Sequence, residues 1–295
     1  MFELLRSDIF LNAWLGGTVA AVIGAVVGYF LVLRAQAFAC EAFSDIGFAG
    51  ATGAALLGVN SIVGMVAFAI VAALGLGCFG EKVRGRDVEI GMVLSFALGI
   101  GVLFLSLYAH HSAAHANAGI NILFGSLLSV TRQDIALVTR CGIAVLLVMA
   151  AIYRPLLFAS IDPAIAQARG VPVRLLSMVF LLVLAVTAAT AILVSGVLLV
   201  VALLVAPAAT AVNLAHRPRN AILLAVGFGL AVTWSGLLLA FLGTWRHLPA
   251  GFYIATLAAA LYYLSLLVRK RSGRRHPDQQ PHPNRETDGA SPAPL

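Results

Sequence analysis

The sequence predicts an all-α, polytopic membrane helix bundle of eight or nine transmembrane helices, and three observations carry that expectation. Apolar residues make up 61% of the 295-residue chain and charged residues only 11%, against about 25% charged in a soluble domain. Stretches free of Asp, Glu, Lys and Arg at 9–33, 46–80 and 175–215 are each longer than the ~20 residues of helix that cross a bilayer core. The basic residues gather in short clusters between the apolar runs, as in loops on the cytoplasmic side of a membrane.

Met1–Asp8 mixes Arg6 with Glu3 and Asp8, and the apolar run behind it reaches Leu33. That run is too long for a signal-peptide core, so it is expected to stay as the first membrane helix, 9–33. Residues 46–80 are too many for one helix. Gly58-Val59-Asn60 offers a turn, giving a second span at about 42–57 and a third at about 60–78. A charged loop, Glu81–Glu89, leads to a fourth span at about 90–109. His110–Asp134 starts too polar for a simple span, and a fifth span comes next at about 136–153. Residues 154–174 form a polar connection with its own helix signals. Asp162 suits an N-cap, Pro163 the first helical position, and Gly170 and Pro172 a stop. The run 175–215 splits near Ser195-Gly196 into a sixth and a seventh span. An eighth lies at about 220–243 and a ninth at about 251–268. Residues 1–268 thus form the membrane domain, and 269–295 a basic, then Pro-rich tail that is expected to be disordered.

Nine spans put the chain ends on opposite sides. With the C-terminus inside, fifteen of the 19 Lys and Arg residues fall on inner segments, a positive-inside bias that also supports the split at Ser195-Gly196. The net charge of +7 is accounted for by these loops and does not indicate nucleic acid.

The residues exclude several chemistries. No GxxxxGK[ST] loop exists, so the chain has no Walker-type nucleotide site. There is no Ser/His/Asp or Cys/His nucleophile arrangement. Cys40, Cys78 and Cys141 stand apart in apolar surroundings, as small buried hydrophobes do. The glycines in the spans let helices approach closely. Pro207 interrupts the hydrogen-bond ladder of the seventh span, as a bend or as part of a cavity wall.

Ionisable groups inside a membrane are expensive and demand a function. The conspicuous pair is Glu41 and Asp45 at the entry to the second span, four residues apart and so on one helix face. Two carboxylates this close repel unless a proton or cation neutralises them. Oxygen ligands suit a divalent ion such as manganese or iron(II). One reading makes the pair a transient metal site on a conduction path. The other leaves both acids wet in the first turn of a helix, where its N-terminal dipole favours them. His110, His111 and His115, after the fourth span, offer a metal-collecting loop or simply an exposed one. Asn60, Ser61 and Asn121 are candidates for a path lining or for turns. The helix around Asp162–Gly170 is either a rigid cytoplasmic lever or an ordinary surface helix.

Four segments in order resemble one family. Gly196–Ala211, GVLLVVALLVAPAATA, is similar to the signature of the metal (zinc/manganese/iron) ABC transporter permeases. Leu31–Arg34 (LVLR) resembles the end of that family's first helix, Leu123–Val130 (LFGSLLSV) with Asp134 its outer segment, and Asp162–Leu176 (DPAIAQARGVPVRLL) its cytoplasmic coupling region. The resemblance runs from about residue 12 to 268. It implies the permease subunit of an ATP-driven importer in the bacterial cytoplasmic membrane, a homodimer surrounded by lipid that moves a divalent metal ion. It also implies separate cytoplasmic ABC ATPase subunits and an extracytoplasmic metal-binding protein, with no catalysis and no cofactor on this chain. The ATPase would dock on Asp162, Ala166, Gly170, Val171 and Pro172. The sequence departs from the family at one place. The family's Gly-Asp-Ala-x-Ser-His reads here Cys40-Glu41-Ala42-Phe43-Ser44-Asp45. Charge and spacing for a cation persist, but the imidazole is gone. A proton-coupled secondary carrier and an ABC permease for a metal chelate are the alternatives.

Overall fold

A computed structural model of the chain describes residues 8–78, 86–110, 131–215, 217–242 and 250–273. The helices are α1 (Asp8–Leu33), α2 (Ala37–Leu56), α3 (Ser61–Cys78), α4 (Arg86–His110), α5 (Arg132–Ile161), the short α6 (Pro163–Ala168), α7 (Val173–Ser195), α8 (Val200–Leu214), α9 (Pro218–Leu242) and α10 (Ala250–Gly273). A 3₁₀ turn, Val197–Leu199, joins α7 to α8. Among the described residues, the nine long helices match the nine expected spans in order. Six of them, α1, α4, α5, α7, α9 and α10, are long and apolar enough to cross a membrane alone, while α3 and α8 are shorter apolar helices.

The turns form for the reasons the residues suggest. Gly58 adopts φ +70° between α2 and α3, and the Asn60 side chain accepts from the Ile62 amide at 2.9 Å, capping α3. Gly196, at φ +77°, ends α7 and opens the way to α8. The left-handed backbone at both sites is one that glycine adopts without a Cβ clash. Pro207 lies inside α8 and is buried.

Several helix limits differ from the sequence expectation. α2 begins at Ala37 rather than near residue 42, because the chain turns sharply through Arg34-Ala35-Gln36 and re-enters helix at once. α5 continues past residue 153, through Arg154 and Pro155, to Ile161. That adds about 12 Å of helix at 1.5 Å per residue. Proline in a helix interior removes a backbone donor and crowds the carbonyl four residues earlier, and is tolerated where neighbours pack the segment; here Leu156 and Ala159 are buried. α10 likewise carries helix through Arg269 to Gly273, and residues 274–295 lie outside the described residues.

The bundle has an inside and an outside. In their apolar windows α1 is 67% and α7 72% buried, against 11% for α4. α4 packs chiefly on α2 and turns Met92, Phe96, Val102 and Leu103 outward. Exposed side chains of this kind are at no cost in hydrocarbon, so membrane helices associate by close packing instead. A Cβ at Gly28 would overlap the Leu204 carbonyl oxygen, which sets the α1–α8 approach. α1 is tied to α9 by stacked Trp14 and Trp234, centroids 5.1 Å apart, and by a 3.0 Å bond from the Trp234 indole N–H to Thr18 Oγ1. Arg269 donates to Asn213 Oδ1 at 2.9 Å, joining α10 to the end of α8.

Candidate metal-pathway site

α2 is the helix most fully enclosed. All thirteen residues from Ala42 to Ala54 are buried, packed between α3, α4 and α7 with α8 at the flank. It is also rich in small residues: Gly47, Gly50 and Gly53 admit the neighbouring helices, and Gly50 meets the backbone of Gly64 on α3. A helix this tightly surrounded would be expected to be wholly apolar. Instead it carries Glu41, Ser44, Asp45 and Thr52.

The hydroxyls are satisfied within the helix. Ser44 donates to the Cys40 carbonyl at 3.0 Å and Thr52 to the Phe48 carbonyl at 2.9 Å. The carboxylates are not. Asp45 is 4% exposed and Glu41, one turn earlier, is half-buried. Among the described residues neither carboxylate takes a hydrogen bond from a protein group, and the buried side-chain atoms left without a partner do not include their oxygens, so these border open space. An acid at the centre of a membrane helix costs about 3 kcal/mol on insertion scales, and an uncompensated pair costs more. Asp45 lies outside the first turn of its helix. Because α2 starts at Ala37, Asp45 stands more than two turns inside the helix and is enclosed.

Two carboxylates alone do not make a cage for a cation. Among the described residues, no group of three or more His, Cys, Asp or Glu side chains converges on a metal-sized site. Manganese and calcium-like ions take about six oxygen ligands, so an ion at this pair would keep most of its shell from water or elsewhere. Cys40 is fully buried beside Glu41, and Cys141 is a second free thiol.

The other sequence candidates separate. His110 ends α4 and is exposed, while His111, His115, Asn121 and Leu123–Val130 lie outside the described residues. Asn60 serves as a cap rather than a path lining. Asp134 forms a reciprocal capping box with Thr131, its carboxylate accepting from the Thr131 amide at 3.0 Å and its own amide donating to Thr131 Oγ1 at 3.3 Å. The Thr131-x-x-Asp134 spacing carries that signal, one that a reading by hydropathy misses. Asp162 caps α6 by accepting from the Ile165 amide at 2.9 Å, Pro163 opens the helix and Gly170 turns out of it at φ +80°. Ala166 is fully buried in this unit, and Arg169 lies over the Phe158 ring of α5 at 5.7 Å. A groove of about 490 Å³ between α1, α5 and α9, lined by Met149, Tyr153, Arg219 and Leu223 among others, does not involve α2.

A bundle of apolar helices wrapped round an enclosed helix that carries two acids fits a membrane-embedded transport subunit. The chain belongs to the ABC 3 transport family, whose model matches residues 6–269. It is similar to the manganese transport system membrane protein MntC of Listeria innocua, 29% identical over 271 residues that cover 92% of this chain and 94% of the relative. It is similar too to the manganese import system permease protein ScaB of Streptococcus gordonii, 30% identical over 258 residues, 87% of this chain and 90% of that one. Among solved structures, PsaBC from Streptococcus pneumoniae in complex with Fab superposes with a TM-score of 0.81 at 26% identity, covering 92% of this chain and 97% of that chain. With its apolar helices, the chain is a multi-pass protein of the bacterial inner membrane.

Proposed function

We propose that the chain is the permease subunit of an ABC importer for a divalent transition metal, with manganese(II) as the favoured ion. The observation that carries this reading is Asp45, buried and without a protein hydrogen-bond donor among the described residues, one turn from Glu41 on the innermost helix. Relatives named for manganese transport support the choice of ion. So does the donor set: two carboxylates, with no imidazole at the pair, favour a hard, oxygen-preferring ion over zinc. Iron(II) shares much of that preference and is the closest competitor.

In this reading Glu41 and Asp45 replace part of the ion's hydration shell as it passes, and their mutual repulsion is relieved only while the cation is between them. The chain works as a homodimer. Hydrolysis of ATP belongs to separate cytoplasmic subunits, which dock on the capped unit of Asp162, Ala166, Gly170, Val171 and Pro172. An extracytoplasmic binding protein delivers the ion. The capped, rigid geometry of α6 supports the docking role.

The test is manganese uptake into proteoliposomes holding the permease and its ATPase. Wild type should import manganese only with ATP inside the compartment that holds the ATPase. Uptake that persists without nucleotide, driven by a proton gradient, would overturn the reading in favour of a secondary carrier.

A further inference from the structure

We infer that Arg34 is a positioning residue that ties the start of α7, and through it α6, to the turn that aims the Glu41–Asp45 pair. This rests on the proposed function for what the movement accomplishes, but the tie itself is geometric.

Arg34 is the first residue after α1. Its guanidinium does not extend into solvent. It donates through Nη2 to the hydroxyl of Ser177, 143 positions away on α7, and lies over the Phe180 ring at 5.4 Å. Both contacts are one turn apart on the same helix, so the guanidinium meets α7 at two points, the hydroxyl and the ring. A flat, multi-donor cation can make both contacts at once, whereas an ammonium is a point charge. Ser177 and Phe180 are buried, and Phe180 in turn packs edge-on against Phe30 of α1.

The turn between Arg34 and α2 makes the grip consequential. Ala35 adopts φ +52°, the only non-glycine residue at positive φ among the described residues. It is the left-handed C′ residue of a Schellman motif that closes α1, with the Gln36 amide donating to the Leu31 carbonyl at 3.0 Å and the Ala35 amide to the Val32 carbonyl at 3.2 Å, so the turn has a fixed backbone geometry. Gln36 then forms the N-cap of α2. Glu41 lies just over one turn further on and Asp45 one turn beyond it. The link is therefore short on both sides. On one side, α6 passes through Gly170-Val171-Pro172 directly into α7, with Val171 donating to the Ala166 carbonyl at 3.1 Å and Val173 to the Val171 carbonyl at 2.8 Å. Ser177 is one turn into that helix. On the other side, a two-residue turn leads from Arg34 into the helix that bears the acids. A shift of α6 displaces Ser177 and Phe180, and Arg34 carries that displacement into the α1–α2 turn.

Two measurements test this on the intact chain. The first needs no transport. Nitroxides at Phe38 and Leu175, which are exposed at the starts of α2 and α7, report the spacing of the two helices in a background with Cys78 and Cys141 replaced by Ala. Wild type should give a narrow distance distribution, and Arg34→Met, which keeps the aliphatic stem but removes the donors, a clearly broader one. An unchanged distribution would overturn the inference whatever the protein transports. The second is manganese taken up per ATP hydrolysed in the complex. Arg34→Met should lower that ratio about tenfold while hydrolysis itself stays near wild type. Ser177→Ala should move it the same way, and the double variant should be no worse than Arg34→Met, because both remove one interaction. Equal loss of hydrolysis and uptake, or additive single effects, would show a merely structural residue. Should Arg34→Met not assemble, Ser177→Ala alone decides both arms, since it deletes only a hydroxyl. If the wild-type complex imports no manganese, the transport reading fails, and the distance measurement still judges the tie.

Discussion

Gly50 on α2 and Gly64 on α3 face each other reciprocally: a Cβ on either would collide with the carbonyl oxygen of the other. The two helices meet backbone to backbone at this point, and the meeting fixes how far α2 sits inside the bundle.

Substituting either glycine should therefore push α2 outward. Gly50→Val is expected to cost about 1–3 kcal/mol, as overpacking does in a close-packed core. A lowered midpoint of thermal unfolding in detergent checks this, with Gly75→Val as the control, since a Cβ there meets nothing within 4 Å. Equal effects of the two substitutions would contradict the backbone contact.

Asp45→Asn keeps the shape of the side chain and removes its charge. Manganese uptake in the assembled complex is expected to fall at least about tenfold, the scale of one lost charged contact, with expression and dimer content unchanged. Uptake within twofold of wild type would remove Asp45 from the ion path.

The combined change Glu41→Asp with Asp45→His restores the acid and imidazole that the family resemblance implies. Imidazole favours zinc more than a carboxylate does. Competition assays should show zinc displacing manganese at lower concentration than in wild type, and no change in preference would argue that selection lies elsewhere.

The capping box of Thr131 and Asp134 is a structural device, so its loss should be felt in stability alone. Asp134→Ala should lower stability by about 1 kcal/mol and leave manganese uptake per assembled complex unchanged. Asp162→Ala removes a cap of similar strength, yet it should also weaken ATPase docking, measured by co-purification. The contrast between the two caps separates a helix end that only folds from one that also binds.

The order of the helices was legible because hydropathy, glycine turns and caps are local signals. Gly58, Gly196, Asp162 and Gly170 each mark a boundary by their own chemistry, and the structure puts a turn or cap at each. The start of α2 was not legible. Arg34 and Gln36 look like loop residues, whereas backbone bonds from Ala35 to Val32 and from Gln36 to Leu31 close a turn so tight that helix resumes at Ala37. The end of α5 was obscured for a related reason. Arg154 and Pro155 read as a break, whereas packing of Leu156 and Ala159 carries the helix through. The depth of Asp45 lay beyond the sequence as well, because a periodic pattern cannot tell a helix facing lipid from one facing only protein when both are rich in Ala and Phe.

The enclosure of α2 bears on how the protein is made. This helix is absent from the six that are apolar and long enough to enter a bilayer unaided, and its two acids each disfavour partitioning from the insertion machinery. It must leave that machinery together with partners, and α3 and α4, its principal neighbours, are the next to be synthesised. The composition that suits α2 to handle an ion makes its membrane insertion a collective event.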